Sequence, residues 1–430
     1  MLQKNQNGLE EKKKMSWNSS FNADLIEKIR TVDKKIMEVR LDLQEIALTN
    51  QGKVLAAFRE NKLSESHFAP STGYGYDDIG RDALEAIYAD VFKTEAALVR
   101  PQIVSGTHAI STALFGVLRP GDELMYITGT PYDTLHEVIG TAGNGIGSLK
   151  EFGILYQEVL LKENGMVDFE AVESRITEKT KVIGIQRSRG YDSRPSFTVS
   201  QIEEMIRFVK EINPNLIIFV DNCYGEFAEI IEPTEVGADL MAGSLIKNPG
   251  GGIAKTGGYI VGRKELVEKA GYRLTTPGVG GEGGAMIYST HEMIQGFFLA
   301  PHVVSQAIQG AVFTAALLEE FNIASTPKWN EPRTDLIQLI SLQDKEKMIA
   351  FCQAVQKYSP VDAYVAPIPS YMPGYEDDVI MAAGTFVQGA SLELTADGPL
   401  RAPYELYVQG GLTFEHVKIA VCQAVNQIFY

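Results

Sequence analysis

The sequence predicts an α/β fold in which a mostly parallel sheet carries helices on both faces, followed by a smaller α+β C-terminal part. Two observations carry this expectation. Short apolar runs recur at 96–99, 123–127, 181–185, 216–220, 240–245 and 258–261, with helical patterns such as 105–118 and 200–211 between most of them. Continuous apolar strands alternating with helices belong to a sheet buried on both faces. After about Gln309 the pattern changes to a helix, strands near Tyr364, Val379, Leu392 and Leu406, and a closing helix from Phe414.

The remaining segments follow in order. Residues 1–20 read as a polar, mobile tail. From Ala23 to about Arg59, Leu25, Ile29, Val32, Ile36, Val39, Leu43 and Ile46 recur at helical spacing, so a long amphipathic helix or a helix pair is expected. The stretch APSTGYGYDDIG from Ala69 is a glycine and aromatic loop, and a helix follows with Leu84, Ile87, Tyr88, Val91 and Phe92 on one face. A chain of 430 residues exceeds one simple core. The expected division is a tail and helical arm over 1–65, a large domain over 66–310 and a small domain over 311–430.

Composition narrows the function. Hydrophobic residues make up 45% and charged residues 22%, the balance of a soluble globular protein. A formal net charge of −16 argues against nucleic acid or an anionic membrane as partner. The three cysteines, Cys223, Cys352 and Cys422, form neither a disulfide framework nor a zinc motif, so no metal is expected. The N-terminus has no apolar core and does not read as a signal peptide. The apolar stretch 293–318 is interrupted by Pro301, His302, Gln306 and Gln309 and reads as buried helices. A cytoplasmic location is expected.

Ligands of α/β sheets sit at the carboxyl ends of strands, and four features fall there. Ser105-Gly106-Thr107-His108 opens a helix directly after a strand. Backbone N–H groups at such a start, with a glycine for close approach, suit a phosphate; read alone, the turn is more simply a helix cap by Ser105. Asp221 ends an apolar strand and needs a partner, which a protonated ring nitrogen would supply; the alternative is a turn carboxylate. Lys247 precedes Asn248-Pro249-Gly250-Gly251-Gly252 after another apolar run. Desolvation there would lower its pKa and make it nucleophilic; the alternative is a solvated loop lysine, and Lys255 is the rival. Tyr132 follows the run 123–127 and could stack on a flat ligand or pack on the core.

The order phosphate turn, aromatic, aspartate, lysine resembles fold-type I enzymes that use pyridoxal 5'-phosphate (PLP), in the cystathionine/methionine lyase branch. SGTHA, VDNCYGEF and GSLIKNPGGGIAKTGGYI resemble the bacterial methionine γ-lyase-like or aluminium resistance proteins, over a match from about residue 25 to the C-terminus. The resemblance implies the PLP-dependent transferase (aspartate aminotransferase-like) fold with a seven-stranded sheet. It implies PLP as cofactor, with Lys247 bonded to its aldehyde carbon, Asp221 at its ring nitrogen and Tyr132 over its ring. Ser105, Gly106, Thr107, His108 and Ser244 are then expected at its phosphate and Cys223 beneath the ring, although Cys223 also reads as a buried apolar filler.

The same resemblance implies a homo-oligomer with sites at a dimer interface. Tyr76 of a partner subunit, with Tyr74 and Arg81 in the comparable segment, would complete the phosphate site. The glycine-rich loop 278–284 reads as a flexible connector, the alternative being an approach to the cofactor from the partner subunit. Arg401 is expected to take the substrate carboxylate, with Arg187, Arg189 and Arg194 clustered after 181–185 as alternatives and Arg189 the preferred one. The implied reaction is elimination at Cβ or Cγ of a sulfur amino acid, with Lys247 taking the Cα proton and Tyr132 donating one to sulfur. Leu245 stands where the branch has a hydroxyl residue, and Thr134 where methionine γ-lyases have a cysteine, which weakens methionine itself as substrate. Aldol cleavage, decarboxylation or transamination, with His108 or the His136 segment in place of Tyr132, and PLP binding without turnover are the competing expectations.

Overall fold

The computed structural model describes residues 17–73, 77–287, 290–372 and 377–430. Its main sheet comprises β1 (Ala96–Arg100), β2 (Glu123–Tyr126), β3 (Leu155–Glu158), β4 (Thr180–Gln186), β5 (Ile217–Asp221), β6 (Leu240–Ser244) and β7 (Gly258–Gly262), in the order β1-β7-β6-β5-β4-β2-β3. β2, β3, β4, β5 and β6 pair in parallel, whereas β7 runs antiparallel to both its neighbours. The expected seven-stranded, mostly parallel sheet is what forms.

Every residue of β5, β6 and β7 is buried, which is why these strands read as unbroken apolar runs. β3 did not read that way. It is an edge strand whose residues are only half buried or exposed, so no continuous apolar run marks it.

The helix Gly106–Val117 matches its predicted span, with Ser105 as the capping residue. The helix Val199–Ile212 is fixed at its start by a reciprocal cap between Thr198 and Gln201, and buries Ile202, Met205, Ile206 and Val209. The N-terminal arm is a helix pair, Ala23–Lys35 and Met37–Glu60. The stretch 293–318 forms one helix, Thr290–Glu319, rather than several. Pro301 sits inside it, buried along with Phe297, Ala300 and Val304; burial of this apolar face outweighs the lost backbone bond. Position 310 lies within this helix.

A second sheet follows, with β8 (Ala324–Thr326), β9 (Ile337–Ser341), β10 (Val379–Ala382), β11 (Thr395–Pro399) and β12 (Glu405–Gln409) in the antiparallel order β10-β11-β12-β9-β8. The helices Lys345–Lys357 and Phe414–Phe429 pack together beside it. No strand forms at Tyr364, which is 89% exposed among Pro360, Pro367 and Pro369. β9 escaped notice because Gln338 interrupts its apolar run. That amide is fully buried, with Nε2 donating to Pro327 O (3.0 Å) and Oε1 accepting from Arg333 (2.6 Å).

Candidate active site

Lys247, Asp221 and Tyr132 face one cavity of about 220 Å³, lined also by Thr134, Gln186, Tyr191, Cys223 and Tyr224. β5 delivers Asp221 at its last position, and the chain then turns so that the Cys223 N–H donates to Asp221 Oδ1 at 3.1 Å. Lys247 leaves the end of β6 through a loop held against the helix Thr290–Glu319. The glycines after it are required for this contact: a Cβ on Gly296 would lie 2.2 Å from Gly250 O, and one on Gly251 2.1 Å from Gly296 O. Backbone therefore packs directly on backbone beneath the lysine.

The phosphate-type turn meets the other two strand ends. A Cβ on Gly106 would stand 3.2 Å from both Cys223 Sγ and Ser244 Cβ, a tight contact that glycine avoids. Ser244 is 1% exposed, and its hydroxyl has no hydrogen-bond partner among the described residues. A buried unpaired hydroxyl beside a helix start calls for an added acceptor. Thr107 Oγ1 lies 2.8 Å from the Tyr132 hydroxyl and 3.1 Å from Thr134 Oγ1, and the Tyr132 N–H donates to Gln186 Oε1 at 2.9 Å.

Electrostatics correct one expectation. Burial does work to lower the pKa of Lys247, but Cys223, Tyr224, Asp221 and Tyr132 outweigh it, and the amine is held above the usual lysine range. The Asp221 carboxyl is raised by its burial, against the pull of Lys247. Burial likewise raises the Tyr132 phenol, with Asp221 and Cys223 adding to the effect, so it keeps its proton at neutral pH. The Cys223 thiol is raised well above its ordinary range, which fits a buried filler.

The arginines separate. Arg187 is committed to structure: it donates to Thr334, Asn222, Glu232 and Glu229. Arg194 is held by the carbonyls of Pro195, Gln186 and Ser188, and burial lowers its pKa to about 10. Arg189 is 3% exposed, yet its Nε and Nη1 lack hydrogen-bond partners among the described residues. It lines a second cavity with Arg401, His136 and Asp192, and this cavity shares Tyr132, Gln186 and Tyr191 with the first. Arg401 is exposed, with Asp377 3.8 Å away.

Other candidates fall elsewhere. Lys255 is exposed and paired with Glu292 at 2.8 Å, which removes it as a rival to Lys247. His108 turns back onto its own loop, where Nδ1 accepts the Val104 N–H at 3.1 Å; burial lowers its pKa. His136 Nδ1 lies 2.8 Å from Thr141 Oγ1. The loop 278–284 is anchored, since Gly281 O accepts from Arg100 and the Gly284 N–H donates to Gly73 O. Arg81 is fully buried near Glu282, while Tyr74 and Tyr76 lie outside the described residues.

Sequence reasoning passed over Tyr224, Gln186 and Asn248. Asn248 Nδ2 donates to Tyr224 O and Glu226 O, both at 2.9 Å, tying the lysine loop to the turn after β5. Tyr224 lay within the VDNCYGEF motif, but nothing local marks its ring as facing Lys247.

Residues 25–429 match the methionine gamma-lyase family. The chain belongs to that family. A crystal structure of a candidate cystathionine beta-lyase involved in aluminum resistance from Listeria monocytogenes is 67% identical, covers 94% of this chain and 99% of its own, and superposes with a TM-score of 0.93. A carbon-sulfur lyase involved in aluminum resistance from Clostridium novyi is 48% identical over the whole of both chains, with a TM-score of 0.92. The fold alone extends to the pyridoxal-5'-phosphate dependent protein YhfS of Escherichia coli, at 15% identity, a TM-score of 0.61, and coverage of 89% of this chain and 96% of that one. Within the methionine gamma-lyase family, this member has Thr134 and Leu245 at the two positions noted above: Thr134 lines the cavity, and Leu245 is fully buried.

Proposed function

We propose that this member of the methionine gamma-lyase family is a PLP-dependent carbon–sulfur lyase acting on a sulfur-containing amino acid. The observation that carries the reading is the convergence of Lys247 and Asp221 on one cavity, beside a helix start and a buried Ser244 hydroxyl that has no hydrogen-bond partner among the described residues. Family membership and the names of the Listeria and Clostridium relatives support it.

The residues fit the cofactor. The first-turn N–H groups at Gly106 and Thr107, with the hydroxyls of Ser105 and Ser244, would hold its phosphate, while the His108 N–H donates to Ser105 Oγ at 3.0 Å as the helix cap. Tyr132 would cover its ring, Asp221 would face its ring nitrogen, and Lys247 would bond its aldehyde carbon, with Cys223 beneath. When bound, PLP supplies an electron sink for the charge left at Cα. Tyr76 of a partner subunit would complete the site in a homo-oligomer.

The chain's own groups then divide the proton work. Arg189 holds the substrate carboxylate from within its cavity, and Arg401 closes the solvent side. The Lys247 amine takes the Cα proton. Tyr132, which keeps its phenol proton at neutral pH, donates it to sulfur as the carbon–sulfur bond breaks, releasing a thiol. Water then releases a 2-oxo acid and ammonia. The turning of His108 onto its own loop favours this reading over one in which that imidazole covers the ring.

Lys247→Ala should abolish both borohydride-trapped cofactor and turnover, and cofactor still trapped in that variant would refute the assignment. Assaying thiol and 2-oxo acid release against aldehyde release over an amino-acid panel tests the reaction class.

A further inference from the structure

The turn after β5 places two non-glycine residues in the left-handed backbone region, Tyr224 at φ +72° and Phe227 at φ +62°. Aromatic side chains rarely adopt this conformation, and it persists only where surrounding contacts enforce it. Here the enforcing contact comes from the lysine loop, through the Asn248 side chain and its bonds to Tyr224 O and Glu226 O. The turn directs the Tyr224 ring onto the catalytic lysine, with Lys247 Nζ 4.0 Å from the ring centroid. The ring also packs against the cluster of Ile337, Leu339 and Tyr407 in the second sheet.

We propose that Tyr224 is a positioning residue for Lys247: its ring, fixed by the Asn248-clamped turn, holds the amine toward the cavity and stabilises it as the ammonium. The proposal rests on the reading of Lys247 given above, because the ammonium is what the lysine becomes once it has taken the Cα proton. A ring face attracts a cation within about 6 Å, and the effect grows when water is excluded. The other titratable groups around the amine are Asp221 and Cys223 on the same turn, Tyr132 on the facing loop, and the buried Glu226. Asp221 supplies charge, whereas Tyr224 supplies a surface that fixes where the amine lies.

The test uses the full-length chain freed of cofactor and measures covalent capture of added PLP across pH, since capture requires the neutral amine. In Tyr224→Leu the rising limb of this profile should move down by about one pH unit, while Tyr224→Phe, which keeps the ring, should move it clearly less. Asn248→Ala, which releases the turn, should shift the same way as Tyr224→Leu. If the leucine variant does not fold, Tyr224→Met supplies an unbranched side chain without a ring. An unmoved limb in the folded ring-less variants, or an equal shift in Tyr224→Phe, overturns the proposal. Neither result touches the role of Lys247, whose failure would appear separately as cofactor trapped in Lys247→Ala.

Discussion

The hydroxyls of Thr107 and Tyr132 lie 2.8 Å apart, so the helix start beside Ser244 is bonded to the aromatic that covers the neighbouring cavity. Two segments distant in sequence thus share one hydrogen bond at the site. Tyr132→Phe removes the donor and keeps the ring. Cofactor affinity should change only a few-fold, while kcat falls by about a hundredfold or more, the range expected for loss of a general acid. Parallel measurements of PLP binding and of steady-state turnover check this, and an unchanged kcat would remove Tyr132 from the proton path.

Ser244→Ala makes a prediction in two directions. In the cofactor-free protein it removes a buried hydroxyl that has no partner among the described residues, so thermal stability should hold or rise. With PLP present, a hydrogen bond to a charged phosphate is lost, and affinity should fall by roughly tenfold or more. Thermal melts with and without PLP separate the two effects.

Arg189 and Arg401 should differ. Arg189 is buried and lacks hydrogen-bond partners among the described residues on two of its nitrogens, whereas Arg401 is exposed and already near Asp377. Arg189→Ala is expected to raise KM by at least about tenfold, and Arg401→Ala by less, because an exposed ion pair contributes little. Equal effects in steady-state kinetics would argue that both arginines contact the substrate.

Glu226 yields a pH prediction. It is fully buried, accepts the Tyr259 hydroxyl at 2.7 Å, and burial raises its pKa to about 8 from an ordinary value of 4.5. A carboxyl raised in the folded state favours folding when protonated, and that advantage is lost as pH rises from about 4.5 through about 8. Glu226→Gln removes the penalty while keeping an acceptor for Tyr259. Its stability relative to the parent should therefore grow across that window, by on the order of several kcal/mol at most. Denaturant unfolding at pH 5, 7 and 9 reads the trend, and a difference independent of pH would contradict it.

Much of this was legible beforehand, for identifiable reasons. Strands β5, β6 and β7 are buried throughout, so they announce themselves as apolar runs, and Asp221 stands out because a carboxylate ends one of them. Ser105 and the glycine after it mark a helix start by local chemistry alone. Strand β3 was silent because a half-exposed edge carries no continuous apolar run, and β9 because the polar Gln338 interrupts it, its side chain paired with Pro327 and Arg333 outside the strand.

By itself the sequence determined the layered fold, the helix caps and the order of the site residues, because each depends on local periodicity or on a residue's own backbone preference. The tertiary structure alone decided that Arg189 is the arginine of its cluster with two nitrogens lacking partners among the described residues, which lysine is buried, and the direction in which its pKa moves. Lys247 was expected to shift downward by desolvation, yet it lies among Cys223, Tyr224, Asp221 and Tyr132, and the charged form is favoured. Desolvation can be read from an apolar neighbourhood in sequence. The opposing groups come from two other strand ends, those of β5 and β2, and only the folded sheet brings them within reach of the amine at the end of β6.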